Sequence, residues 1–221
     1  MARNPRHHDP VLVIGLGRFG SALALSLMDY GHEVLGADAD GKITQSMMGK
    51  LTHVVQLDST STEALGQIGA DQFTRAVVGI GTDLEASILT VAALDDLGVP
   101  EIWAKALSET HATILRRVGA NYVVQPEADM GRRIARRVVS RAQDFFEFED
   151  GFSLIQTDAP DEVVGQTIGQ VRFTDRYGVT VVCVKRHHAG FEMAHDDMLI
   201  QKGDILIVAG RTQAAQAFSE R

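Results

Sequence analysis

Val11-Leu12-Val13-Ile14-Gly15-Leu16-Gly17-Arg18-Phe19-Gly20 decides the fold of this chain. Four apolar residues lead into Gly-x-Gly-x-x-Gly. An amphipathic segment, Arg18 to Tyr30, follows with Phe19, Ala22, Leu23, Leu27 and Tyr30 near helical spacing. Strand, tight turn and helix in that order open a dinucleotide-binding βαβ unit. Gly15 permits the turn, Gly17 lets backbone approach a phosphate, and Gly20 lets the helix pack on the strand. The phosphate then sits at the helix N-terminus, where free amides and the helix dipole favour negative charge.

The segment that follows strengthens the motif. Gly31 stops the helix. Glu33-Val34-Leu35-Gly36-Ala37-Asp38 reads as a second strand ending in a carboxylate, 23 residues after Gly15. A ribose-binding acid belongs about there, roughly twenty residues past the glycines. A carboxylate at Asp38 accepts hydrogen bonds from ribose hydroxyls and repels a 2′-phosphate, which favours NAD-like or ATP/ADP-like ligands over NADP. The bland alternative for Asp38 is a turn or helix-capping residue, although Asp40 suits the cap better.

The alternation continues with a strand at 53–57 and the polar run Asp58-Ser59-Thr60-Ser61-Thr62, placed where open α/β sheets bind ligands. Its hydroxyls equally suit a helix start. A strand over 75–80 ends at Gly79-Ile80-Gly81, where absent side chains would admit a ligand. A helix over 83–97 ends at Gly98 and Pro100. Strands at 101–105 and 122–124 flank a helix at 108–118. Six strands alternating with helices predict a Rossmann-like, doubly wound parallel sheet.

At 221 residues the chain has room for two domains, and 45% hydrophobic residues support real cores. A net charge of −8 argues against nucleic acid as the partner. No apolar run reaches the ~18 residues of a membrane helix. Met1 to Pro10 lacks an apolar signal region, and the single cysteine excludes an internal disulfide framework. These readings predict a soluble, cytoplasmic chain.

Beyond Val124 the pattern changes. Residues 126–143 read as one long helix, with Pro126 and Glu127 in its first turn. Met130, Ile134 and Val138 form an apolar stripe among arginines: either part of a solvated face, or a crossover helix that docks on another subunit. Phe145 to Gly151 reads as a connector. Short strands then recur at 153–157, 179–186, 191–193 and 204–209, with helices at 166–177 and 212–218. About 70 residues of small α+β structure make a marginal core alone, so dimerisation is expected. The domain plan is 10–143, a linker at 144–152, and 153–219.

The glycine motif with Arg18-Phe19, the late Asp38 and Pro126-Glu127-Ala128-Asp129-Met130-Gly131 resembles the RCK (regulator of potassium conductance) family, in the layout of KtrA/TrkA-type potassium-uptake subunits. The 153–219 segment, with Gly178-Val179-Thr180-Val181-Val182 and Gly203-Asp204-Ile205-Leu206-Ile207-Val208-Ala209-Gly210, is similar to the C-terminal RCK subdomain. The resemblance implies a cytosolic regulator, peripheral to the membrane, of an integral-membrane potassium-translocating subunit of KtrB/TrkH type. It also implies homo-oligomers: dimers, commonly in an octameric ring. ATP or ADP is the implied ligand, with NAD or NADH the alternative of TrkA-type members. By similarity, the backbone at Gly15, Gly17, Arg18 and Phe19 contacts phosphates and Asp38 the ribose. Asp58 and Ser59 lie near the adenine, and Gly81 lies under the ligand. Arg18 reaches a γ-phosphate, and Glu127 holds a divalent cation, Mg²⁺ or Ca²⁺. Cyclic di-AMP is an implied effector at the C-terminal domain. Leu57-Asp58-Ser59-Thr60 departs from the family's frequent Gly-Asp-Ala-Thr, which bears on the adenine pocket.

Each assignment has an independent chemical reading. Arg18 is a fixed charge at a phosphate turn, placed where the helix dipole disfavours a cation. Glu127 equally suits a helix N-terminus. Lys105, ending the fifth strand, pairs with Glu127 or with a phosphate. His187 and His188 point to opposite strand faces, His7 and His8 lie in a tail, and His195 stands alone, so no metal site is expected among the histidines. Cys183 and Trp103 read as core. An NAD-dependent dehydrogenase would need a substrate domain and a positioned acid/base, and a redox-responsive repressor would need a basic helix-turn-helix. Neither is visible, so the chain reads as a non-enzyme.

Overall fold

The computed structural model describes residues 9–139, 144–186 and 190–221. The chain divides into two compact units between Glu127 and Ala128.

The first unit is built on six parallel strands: β1 (Val11–Ile14), β2 (Val34–Asp38), β3 (His53–Gln56), β4 (Arg75–Val78), β5 (Glu101–Lys105) and β6 (Tyr122–Val124). Their spatial order is β3-β2-β1-β4-β5-β6, so the winding reverses between β1 and β4. The helices are α1 (Arg18–Asp29), α2 (Gly41–Met47), α3 (Thr62–Gln67), α4 (Leu84–Asp96) and α5 (Glu109–Arg117). Strand alternation sends Leu12 and Ile14 into one core with Leu94, Ile102 and Leu115. It sends Val11 and Val13 into the other, with Ala24 and Met47. Both faces of β1 are therefore buried, which is why its sequence is continuously apolar. Side-chain caps fix the helix starts: Asp40, Ser61, Asp83 and Ser108 accept from the amides of Lys42, Ala64, Ala86 and His111.

α6 (Pro126–Val139) follows β6. The expected continuation over 140–143 lies outside the described residues. Met130, Ile134 and Val138 are 51, 52 and 77% exposed, so nothing in the described chain covers the stripe.

The second unit holds β7 (Asp144–Glu147), β8 (Phe152–Asp158), β9 (Val179–Lys185), β10 (Phe191–Met193) and β11 (Ile205–Arg211), in the antiparallel order β10-β9-β11-β8-β7. One face packs Ile155, Val184, Leu206 and Val208 against Phe173 and Phe218. These aromatic residues belong to the short helices α8 (Phe173–Tyr177) and α9 (Thr212–Ser219).

Four local expectations are corrected. Residues 145–151, read as a connector, hold most of β7 and a 3₁₀ turn at Glu149–Gly151. The acids at the ends of β7 mask its strand character, and its pairing with β8 supplies the missing support. The helix expected over 166–177 is two pieces, α7 (Ile168–Val171) and α8, separated by Arg172 in the left-handed region at φ 52°. α7 opens with a reciprocal capping box between Thr167 and Gln170. Trp103 is half-buried, stacked on Tyr122 with ring centroids 4.2 Å apart, its indole N–H donating to Glu101. Cys183 is also half-buried, its Sγ 3.7 Å from Met193 Sδ. A register shift between Ile207 and Val208 puts one extra residue on β9, so Val181 and Val184 are buried while Val182 and Cys183 are not. His7, His8, His187 and His188 lie outside the described residues, among which no group of three or more His, Cys, Asp or Glu is placed to hold a metal.

Candidate functional site

The residues singled out above fall at one edge of the first sheet. Gly15 follows β1, Asp38 ends β2, Asp58 follows β3, Gly79 and Gly81 follow β4, Lys105 ends β5, and Glu127 follows β6. These are the C-terminal ends of parallel strands, and the reversal between β1 and β4 opens the crevice in which such sheets take ligands.

The glycine turn is held by backbone contact. Gly15 has φ +84°, and a Cβ there would meet Ile80 N at 2.9 Å. A Cβ on Gly20 would lie 1.9 Å from the Gly15 carbonyl oxygen, and one on Gly79 would lie 2.9 Å from the same atom. Gly79 is therefore small so that β4 can seat the turn, which differs from the expectation that it admits a ligand. Gly17 is the opposite case: a Cβ there would have no neighbour within 4 Å. It caps α1 without a side chain, and no acid occupies the helix's first turn. The first amides of α1 have no partner within the helix and carry its positive end, beside the exposed Arg18.

Asp38 braces this turn. Its Oδ2 accepts the Leu16 amide at 2.6 Å, and its Oδ1 accepts the Asp40 amide at 2.9 Å. Each carboxylate oxygen has a second lone pair for a ligand hydroxyl. Asp58 is exposed and accepts from the Thr60 hydroxyl at 2.7 Å and the Thr60 amide at 3.0 Å. Those two bonds, the hydroxyl's first, hold its carboxyl below the usual range. The Ser59 hydroxyl is buried and lies 2.8 Å from that of Thr90 on α4. It fastens the loop after β3 to the domain.

On the other side of the switch point the charge changes sign. Lys105 is 8% exposed, and its Nζ donates to Glu127 Oε1 at 2.6 Å. The same Nζ lies 5.7 Å from the centroid of the Phe19 ring, on the first turn of α1. A Cβ on Gly81 would sit 3.1 Å from it, so glycine there leaves room for the ammonium. The Glu127 carboxyl is held below its ordinary value, first by the hydrogen bond from Lys105, then by its own amide, and further by the charges of Lys105 and Arg18. Arg18, Phe19, Gly81, Lys105 and Glu127 thus surround one place. The crevice runs from Arg18 and the Lys105–Glu127 pair at the turn, β5 and the start of α6 to the acids at the ends of β2 and β3. That polarity suits phosphates at one end and a hydroxyl-bearing sugar at the other.

Sequence reasoning missed the bracing of Leu16 by Asp38 and the clearance that Gly81 gives Lys105. It also missed His111, which is 3% exposed and whose Nδ1 accepts the Leu107 amide at 3.3 Å, two residues past Lys105. Burial pushes its pKa down.

This geometry defines a class: a Rossmann-type domain with a dinucleotide-fold crevice, followed by a smaller domain on an antiparallel sheet. The TrkA-N domain model matches residues 11–126, and the TrkA-C domain model matches residues 154–221. The chain belongs to the TrkA-N/TrkA-C family, in line with the resemblance its motifs carry. It is 34% identical over 210 residues to Ktr system potassium uptake protein C of Bacillus subtilis (strain 168), covering 95% of each chain. The structure of the GsuK channel shares the fold over 100% of this chain and 40% of its own, at TM-score 0.68 and 17% identity. A crystal structure of GsuK bound to ADP matches 63% of this chain and 39% of its own, at TM-score 0.52 and 17% identity.

Proposed function

We propose that this protein is a non-enzymatic, nucleotide-sensing regulatory subunit that gates a membrane potassium-translocating protein. The observation that carries the reading is the joint match of both domains to a potassium-uptake relative along 95% of each chain. The crevice supports the sensing part. Phosphates lie on the first turn of α1, over Gly17 and beside Arg18, and the ribose hydroxyls meet Asp38. Asp58 faces the adenosine end. Arg18, a fixed and exposed charge, distinguishes ATP from ADP by the extra phosphate.

Glu127 fits a divalent cation as one deprotonated oxygen ligand. Mg²⁺ takes the rest of its shell from phosphates and water, as it does in sites with one or two carboxylates. The exposed stripe of α6 supports assembly with further copies of the chain, and no helix of the described residues is long and apolar enough to cross a membrane. The protein accordingly works in the cytoplasm and meets the membrane through its partner. The Asp38 arrangement serves NAD or NADH equally well, which is the second reading.

Thermal unfolding of the purified protein with ATP, ADP, NAD or NADH, each with and without Mg²⁺, separates the two. A ligand of the folded state raises stability by RT ln(1 + [L]/Kd). Larger shifts with ATP and ADP support adenine-nucleotide sensing. A preference for NAD or NADH replaces it with dinucleotide sensing, and no shift with any of them refutes both.

A further inference from the structure

Lys105 and Glu127 form an ion pair with unequal surroundings. The lysine side chain is 10% exposed and the glutamate side chain 66%. The ammonium is therefore held inside the domain while its counter-charge stands at the surface. A buried ammonium needs a close anion, and among the described residues Glu127 is its one hydrogen-bond partner. The ammonium also lies near the first turn of α1, with the Phe19 ring at 5.7 Å and the bare backbone of Gly81 beside it. It thus lies between the helix end suited to phosphate and the carboxylate that neutralises it.

We infer that Lys105 is an exchangeable phosphate ligand: a nucleotide phosphate seated on the glycine turn takes its ammonium from Glu127 and releases that carboxylate. The inference rests on the reading of the crevice as a nucleotide site. Three physical facts favour the exchange. A phosphate carries more charge and more acceptor oxygens than a carboxylate, and the amides of α1 hold it in place. Lysine is a point charge on a flexible stem, free to turn between two anions. Glu127 is already largely in water, so losing the contact costs it little desolvation or pairing energy. A carboxylate freed only in the ligand-bound state gives that state an interaction the free state lacks, which any ligand-driven change of state requires.

Calorimetric titration of the full chain with ADP in EDTA, where no divalent cation is available to Glu127, tests this as a double-mutant cycle. Lys105→Met should weaken ADP binding on the order of tenfold, the scale of a lost charged hydrogen bond. Glu127→Gln should tighten it several-fold, because Lys105 then has no competing carboxylate. In the Lys105→Met background, Glu127→Gln should have no effect. Methionine keeps the stem's shape and leaves Glu127 in water. Gly81→Ala, which crowds the ammonium without removing it, should also weaken ADP binding. Equal tightening by Glu127→Gln with and without Lys105 would mean that Glu127 acts through its field alone, and the exchange is overturned while the site stands. A wild-type chain that binds none of ADP, ATP and NAD overturns the site and the exchange together.

Discussion

Two glycines three residues apart in the same motif should respond in opposite ways to alanine. At Gly20 the added Cβ would lie 1.9 Å from the Gly15 carbonyl oxygen and 3.0 Å from its carbon. Both atoms are backbone, held by the Gly15 amide bond to Ala37 and by the seat on Gly79, so no side chain is available to swing away. Relief requires α1 to move off β1 by more than an ångström. Overpacking a well-filled site typically costs about 1–3 kcal/mol, and a rigid backbone clash belongs at or above the upper end. At Gly17 nothing lies within 4 Å of the new Cβ and φ is −62°, so alanine fits and the folded state loses nothing. The unfolded chain loses entropy there, for a gain of about 0.4–1 kcal/mol. That same methyl projects where phosphate would approach, so nucleotide binding should weaken. Trp103 is the one tryptophan and lies in β5. Its fluorescence therefore reports urea unfolding of the first domain specifically. Gly20→Ala should lower the midpoint by the equivalent of about 3 kcal/mol at unchanged slope. Gly17→Ala should leave the midpoint equal or raised. Similar destabilisation by both would refute the assignment of Gly20 to packing and Gly17 to ligand approach.

Arg18→Ala should narrow the difference between the ATP and ADP effects on stability and assembly; an undiminished difference in calorimetry removes Arg18 as the sensor of the extra phosphate. His111 has its pKa lowered by burial from an ordinary 6.5, so the folded state binds its proton less readily than the unfolded state. Its contribution is full above that value and drains as pH falls through the lowered folded-state pKa. Urea midpoints from pH 7.5 downward should decline less steeply in His111→Gln than in wild type, and identical slopes would contradict the assignment. Ile134→Asp puts a charge in the middle of the α6 stripe and should shift the chain toward monomer in light scattering, leaving the Trp103-detected midpoint of the first domain within about 0.5 kcal/mol.

Signals that lie within a few residues were legible before any fold was seen. The continuous apolar run of β1, the glycine turn and the cap at Asp40 each depend on local periodicity or local hydrogen bonding. So does Asp38 as the end of β2. The split at Arg172 was hidden because a left-handed arginine carries no local sequence mark, as a glycine there would. Cys183 was misread because one bulged residue on β9 rotates the strand's alternation, and the partner that forces the bulge, β11, lies some twenty residues on. The Ser59–Thr90 bond spans 31 positions, and no periodicity encodes a distance of that kind. The Lys105–Glu127 pair spans 22, and the strand-end position of Lys105 made it one of two readings from the sequence; the fold decided for it in the free chain.

The sequence by itself determined that residues 11–124 form alternating strands and helices around a glycine turn, because backbone propensity, capping and burial period are written into neighbouring residues. Only the tertiary structure decided that Asp38 braces Leu16, that Gly79 serves packing, and that Gly81 clears a place for the Lys105 ammonium beside Phe19. These are contacts between strand ends adjacent in space and remote in the chain, and the parallel sheet, by placing all six C-terminal ends on one edge, brings them together.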